Sequence, residues 1–195
     1  MSPTIAIDFD GTIADINRMK VAWVRRHLGI EMTVGQADAT SCIPLIGRDE
    51  YTRMGDEVFS HGGTMATDPT PGALDALGRL AAKHRLVMLS ARGGDRLPSA
   101  EAWLDQHDVR GLFAEARSSQ GATKAAVVEA AGAQALLDDD TRHLVIPGDY
   151  PFLRYHFHPD ETEPWRADGD IVHVRGWAEF EEHLPDALAG LTVGE

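Results

Sequence analysis

Five short apolar runs, separated by stretches with helical spacing, most constrain what this chain can fold into. TIAIDF (4–9), RLVMLS (85–90), AQALLD (133–138), HLVIPG (143–148) and DIVHVR (170–175) have the length and composition of buried strands. Between them, residues 71–84 open with Pro71 at a first-turn position and set Leu74, Leu77 and Leu80 on one stripe. Residues 97–107 offer Ser99 as an N-cap and Trp103 and Leu104 as core-facing positions. Residues 121–132 are strong helix formers closed by Gly132, and residues 177–188 read as a last helix that Pro185 bends or ends. Strands alternating with helices predict an α/β fold, a Rossmann-like parallel sheet with helices on both faces. Such sheets bind ligands at the carboxyl ends of their strands. Three of the runs end in polar residues: Asp8 with Asp10, Ser90, and Asp138 with Asp139. These are therefore expected along one edge.

Residues 16–68 break the alternation. The spacing of Met19, Trp23, Val24 and Leu28 predicts an amphipathic helix over 16–29, and Tyr51, Met54, Val58 and Phe59 predict another over 47–63. With no strand evident there, the expected organisation is a core of residues 1–15 and 69–195. A small helical unit, 16–68, is inserted after the first strand and joined through DPTPG at 68–72. Neither internal repeats nor low-complexity tracts are present.

The net charge of −13, from 31 acidic and 18 basic residues, disfavours a nucleic-acid polymer or an anionic membrane as the main partner, since both need a basic footprint. A small anionic substrate is compatible with it, because a metal or a few basic residues can reverse the field in one pocket. Cys42 is the only cysteine, so no intrachain disulfide can form, and it reads as a small buried residue rather than a catalytic thiol. Without a signal peptide or a stretch of 18 apolar residues, the expected location is the cytoplasm.

Asp8 and Asp10 point the same way on a strand, because side chains at i and i+2 share a face. Two carboxylates held that close repel, and one is pushed toward its neutral form unless a cation sits nearby. The arrangement suits chemistry better than solubility. Asp8-Phe9-Asp10-Gly11-Thr12, followed by Ser90, Lys124 and Asp138-Asp139, resembles the four motifs of the haloacid dehalogenase superfamily, in its phosphatase branch. The likeness covers residues 4–14 and 69–140, with the motifs in order on the expected elements.

That resemblance implies a Mg²⁺-dependent phosphomonoester hydrolase working through an aspartyl-phosphate. It makes Asp8 the nucleophile and Asp10 the general acid and base, roles that two neighbouring carboxylates can divide. It implies a metal held by Asp8, the backbone carbonyl of Asp10 and Asp138, with Asp139 or Asp140 as secondary acid. Ser90, Lys124, Gly11 and Thr12 would bind phosphate. The inserted unit corresponds to a type 1 cap, which closes over the pocket and selects the leaving group.

The small helical insertion, LSAR (89–92), LLDDD (136–140) and VRGWAEFEEHL (174–184) look most like the cytosolic 5'(3')-deoxyribonucleotidase group, implying a nucleotide substrate. A phosphatase of a sugar phosphate or other small metabolite is the alternative, and a catalytically silent binding module a further one. Arg92, Arg18, Arg48 and Tyr51 are the expected substrate contacts, with Arg25 and Arg53 as further basic candidates. Trp23, Tyr51 and Phe59 can be read as base-stacking rings or, with more weight, as packing of the insertion. His156 and His158, read on a loop, make a weak metal pair for want of Cys or Glu partners. Residues 148–166 match nothing in the resemblance.

Overall fold

The computed structural model describes residues 2–94, 96–145, 150–159 and 166–191. The chain begins with strand β1 (Thr4–Asp8), buried at every position as expected of a parallel strand covered on both faces. It then enters four helices, α1 (Ile16–Leu28), α2 (Ala39–Ile46), α3 (Arg48–Val58) and α4 (His61–Met65), with no strand among them. Thereafter come α5 (Ala73–Ala81), β2 (Arg85–Ser90), α6 (Arg96–Gln106), β3 (Phe113–Ser118), α7 (Lys124–Ala130) and β4 (Ala135–Asp138). The chain closes with β5 (Leu153–Phe157), β6 (Arg166–Asp168), β7 (Ile171–Val174) and α8 (Trp177–Leu191).

The seven strands form one sheet in the order β3-β2-β1-β4-β5-β7-β6. All neighbours are parallel except β6, which runs antiparallel to β7 at the edge. Alternation along each strand sorts its side chains between two cores. Ile5, Ile7, Leu86 and Met88 meet α5, α6 and α8 through Leu77, Trp103 and Phe180. Ala6, Val87, Leu89 and Leu136 pack on the other face with Ala125 and Val128 of α7. From β1 the chain moves to β2 and β3 on one side, then returns to β4 on the other. The switch point thus lies between β1 and β4, where open α/β sheets bind their ligands. Asp8 and Asp138 end those two strands.

The insertion has its own core of Ile16, Trp23, Val24, Met32, Cys42, Met54 and Val58. Its entry and exit are zipped together: Asp15 N–H donates to Asp68 O at 2.8 Å and Thr70 N–H to Ile13 O at 2.8 Å. Thr70 Oγ1 donates to Thr12 O at 2.6 Å and Trp177 Nε1 to Thr70 Oγ1 at 2.9 Å, tying the expected 68–72 junction to the core.

Several expectations are corrected. HLVIPG does not start as a strand: Thr141–His143 form a 3-10 turn, and residues 146–148 lie outside the described residues. β3 and β5 take places in the sheet where the sequence pattern predicts no strand. His156 and Phe157 lie on β5, not on a loop, and the rest of 148–166 is described only at 150–159 and 166. Ser99 sits inside α6, buried, 3.2 Å from His61 Nδ1, and so is not its N-cap. The pattern over 47–63 is two helices, because Ser60 caps a second one by accepting from Gly63 N–H. α8 continues past Pro185 to Leu191.

Candidate active site

Asp8, Asp138 and Lys124 form a buried ion triplet. Lys124 opens α7, whose N-cap Thr123 accepts from Ala126 N–H, and its ammonium donates to Asp8 Oδ1 at 2.5 Å and Asp138 Oδ2 at 2.6 Å. Burial alone would lower the lysine, but the carboxylates of Asp138 and Asp8 outweigh it and hold it above its ordinary value. Burial raises the Asp8 carboxyl well above the carboxylate range; Lys124 opposes this, and Asp138, Asp139 and Asp10 add to it. Burial would raise Asp138 too, yet Lys124 and His143 keep it low. Asp139 is pushed up to about 7, first by burial and then by Asp138.

Ionised together, these carboxyls would carry more negative charge than one ammonium balances. Oxygens of Asp8, Asp138 and Asp139 lie within 4.8 Å of one another, so the donor set fits a hard divalent cation. Asp139 is held in place from the insertion, where Asn17 Nδ2 donates to its Oδ2 at 2.6 Å. Gly11, at φ +88°, permits this approach: a Cβ there would overlap the Asp139 carboxylate and the Asn17 amide. Of the two candidates for secondary acid, Asp139 joins the cluster. Asp140 instead accepts from Arg142 Nε at 2.9 Å and caps the 3-10 turn.

Asp10 has a different environment. The Arg92 guanidinium grips it bidentately, Nε to Oδ2 at 2.9 Å and Nη2 to Oδ1 at 2.8 Å. Ser90 Oγ donates to Asp10 Oδ2 at 3.3 Å while accepting from Arg92 N–H at 3.0 Å. The remaining Arg92 arm donates to Thr64 Oγ1 of α4 at 2.7 Å, and the guanidinium carbon stands 5.2 Å from the Phe9 ring centroid and 5.3 Å from that of Phe59.

Beside these groups opens a cavity of about 280 Å³ between the strand ends and the insertion. Asp8, Asp10, Lys124 and Arg92 line it, together with Lys20, Tyr51, Phe59, Arg96, Arg142 and His143.

No protein-family model matches the sequence, and no curated protein matches it. Solved structures do match the fold. A haloacid dehalogenase-like hydrolase from Streptococcus pneumoniae is 13% identical with a TM-score of 0.60, covering 80% of this chain and 84% of its own. A subfamily IA superfamily hydrolase from Geobacter sulfurreducens is 11% identical at TM-score 0.59, covering 94% and 96%. The L-2-haloacid dehalogenase from Xanthobacter autotrophicus, with chloropropionic acid covalently bound, is 12% identical at TM-score 0.58, covering 95% and 99%. The fold is haloacid dehalogenase-like.

Within that fold, Asp8, Asp10, Ser90, Lys124, Asp138 and Asp139 come together as the sequence motifs predict. Gly11 acts through Asp139 and lines the adjoining cleft rather than the cavity. Thr12 is fully buried away from the cavity wall, its hydroxyl without a hydrogen-bond partner among the described residues. Arg92 and Tyr51 line the cavity, but Arg18 and Arg48 do not: both are exposed, and Arg18 pairs with Asp15 at 2.8 Å. Arg25 pairs with Glu31, and Arg53 with Glu50 and the face of Trp23. Trp23 belongs to the insertion's core, its Nε1 donating to Glu57 at 2.7 Å. Cys42 is buried in the same core.

Asn17, Lys20, Arg96, Arg142 and His143 were not singled out from sequence. Asn17 and Lys20 have one visible signal, polar residues three apart on the helix that leaves the Asp-x-Asp turn. No helix among the described residues is long and apolar enough to cross a membrane.

Proposed function

We propose that the chain is a metal-dependent phosphomonoester hydrolase that works through an aspartyl-phosphate on Asp8. One observation carries this reading: Asp8 sits in the carboxyl cluster against Lys124 while Asp10, two residues on, stands apart beside the cavity in a hydrogen-bonded setting of its own. A dehalogenase needs the attacking carboxylate but neither a cation-binding cluster nor a second carboxylate to move protons. Phosphate ester hydrolysis uses both, and its uncatalysed rate is among the slowest known.

Asp8, Asp138 and Asp139 would hold the metal, Mg²⁺ by the resemblance, and the ion would supply charge neutralisation to the phosphoryl oxygens. An Asp8 oxygen attacks phosphorus as the ester P–O bond breaks, and the departing alkoxide takes a proton from Asp10. Water then attacks phosphorus, gives its proton to Asp10, and the P–O bond to Asp8 breaks to release phosphate. Lys124 balances charge on Asp8 and the phosphoryl group, and Ser90 donates to that group. The Arg92 fork holds both Asp10 carboxyl oxygens. Donating to the alkoxide requires Asp10 to turn out of that fork. The inserted helices act as the cap.

Two cavity-lining rings, Tyr51 and Phe59, favour a nucleotide as the second reading of the substrate. The walls are otherwise charged, with Lys20, Arg92, Arg96, Lys124 and Arg142 set among Asp8, Asp10, Asp38, Asp139 and Asp140, a polar lining that favours a small phosphorylated metabolite. The test is phosphate release with Mg²⁺ from deoxynucleotides, ribonucleotides, sugar phosphates, phosphorylated acids and an aryl phosphate, alongside halide release from 2-chloropropionate. The expected result is phosphate release abolished by EDTA and by Asp8→Asn. Halide release without phosphate release would overturn it.

A further inference from the structure

Five cationic side chains line the cavity, and four of them are ion-paired. Lys124 serves Asp8 and Asp138, Arg92 serves Asp10, Arg142 serves Asp140, and Arg96 serves Asp56 at 2.8 Å. Lys20 differs. It is only 8% exposed, and its ammonium makes one hydrogen bond, to the Asn17 amide oxygen at 2.9 Å; no ion pair among the described residues engages it, and the Asp139 carboxyl in the same cavity wall interacts with it only at longer range. An ammonium removed from water with most of its donor capacity unused is costly unless an anion completes it. The nearest phosphoryl-binding positive charge, Lys124, is already in place at the strand ends. Lys20 lies one helical turn beyond Asn17, which itself reaches Asp139, so it stands on the insertion side of the cavity where a leaving group would lie. The Phe59 ring beneath it, with its centroid 5.6 Å from Nζ, keeps the ammonium over an apolar floor.

We propose that Lys20 reads a second anionic group on the substrate, so that the preferred substrates are phosphomonoesters whose alcohol carries a carboxylate or a further phosphate. The proposal rests on the phosphatase reading and narrows it. A compact ammonium suits either anion, since a point charge does not demand the planar match that a guanidinium offers. The competing role is internal: Lys20 orients Asn17, and through it Asp139, irrespective of the substrate.

Matched pairs separate the two roles. 3-Phosphoglycerate and glycerol 3-phosphate differ by one carboxylate, and fructose 1,6-bisphosphate and fructose 6-phosphate by one phosphate. In the intact chain the more acidic member of at least one pair is expected to have a kcat/KM about tenfold higher, as a charge-assisted hydrogen bond in a desolvated pocket implies. Which pair responds tells carboxylate from phosphate. Lys20→Met should erase that ratio through KM of the acidic member, and Lys20→Arg should restore part of it. Loss shared equally by both members, or no preference in the intact chain, overturns the proposal in favour of the internal role.

Failure of the phosphatase reading shows separately, as no Mg²⁺-dependent release even from the aryl phosphate. In that case calorimetric binding of the same pairs decides. Tighter binding of an acidic member that Lys20→Met abolishes sustains the anion site, and equal binding by both proteins overturns it.

Discussion

Lys124, at the strand ends, and Lys20, in the helical insertion, are buried to nearly the same degree, 4% and 8% exposed, yet their surroundings differ completely. Lys124 is fixed by two carboxylates from two strands that the sheet register holds side by side. Lys20 meets a neutral amide on its own helix. The strand-end lysine is therefore held by charges of the sheet itself, while the insertion carries a cation that no ion pair among the described residues engages and that acts on the Asp139 carboxyl only at longer range. On the proposed reading, chemistry and recognition are divided along the boundary between sheet and insertion.

The comparison breaks most visibly at Lys124. Lys124→Met leaves Asp8 and Asp138 as uncompensated buried carboxylates, and stability is expected to fall by about 3–5 kcal/mol in the metal-free protein. Activity should fall by at least about a thousandfold. Denaturant unfolding and phosphate release read the two effects, and unchanged stability would show that Lys124 is not the keystone of the triplet.

Gly11→Ala comes next, because a methyl must displace Asp139 from Asn17. Displacing a metal-site carboxylate should weaken Mg²⁺ activation by about 10–100-fold, with much of the rate recovered at high Mg²⁺. A smaller effect follows from Asp139, whose carboxyl is raised to about 7 by burial and by Asp138. The folded protein then holds a proton that the unfolded chain has released, so this group lowers the stability of the metal-free protein as pH rises from about 4 toward 7. A bound cation removes the cause, and Mg²⁺ should therefore raise Tm more at pH 8 than at pH 5.5. An equal shift at both pH values would mean that Asp139 lies outside the metal site. The smallest change is expected from Arg48→Ala, which is exposed and off the cavity wall, with kcat/KM within about twofold of the parent.

The parts of the fold legible in the sequence were those where burial and composition agree. β1, β2, β4 and β7 are apolar runs inside a covered sheet, and each was visible as such. β5 was not, because LRYHF looks like a polar loop. Its Arg154 is buried only by virtue of Leu144 O at 2.8 Å and Asp170 at 3.1 Å, and His156 by virtue of His173 at 2.9 Å. Those partners are 10 to 17 residues away and leave no periodic trace. β3 is a sheet edge, mostly half-exposed, so its residues FAEARS carry no apolar run. At the site, residues whose spacing is set by motif chemistry were legible: Asp8, Asp10, Ser90, Lys124, Asp138. Those on the insertion were legible only where a ring or cation happened to face inward, which helical spacing alone cannot fix. Tyr51 lines the cavity while Arg48, three residues earlier, does not.

Arg92 fastens together parts of the chain that are far apart in sequence: Asp10 and Phe9 after β1, Phe59 and Thr64 in the insertion. One rigid planar group cannot satisfy a new neighbour on one side without shifting on the other. Divergence of such a protein toward new ligands is therefore constrained in an uneven way. Substitutions around Tyr51 can accumulate without touching this rivet, whereas any that move Thr64 or Phe59, the ring beneath Lys20, must also re-seat Asp10. On the proposed reading, drift in specificity has an open lane along the Tyr51 face of α3, and closed ones along α4 and the Asn17–Lys20 face of α1.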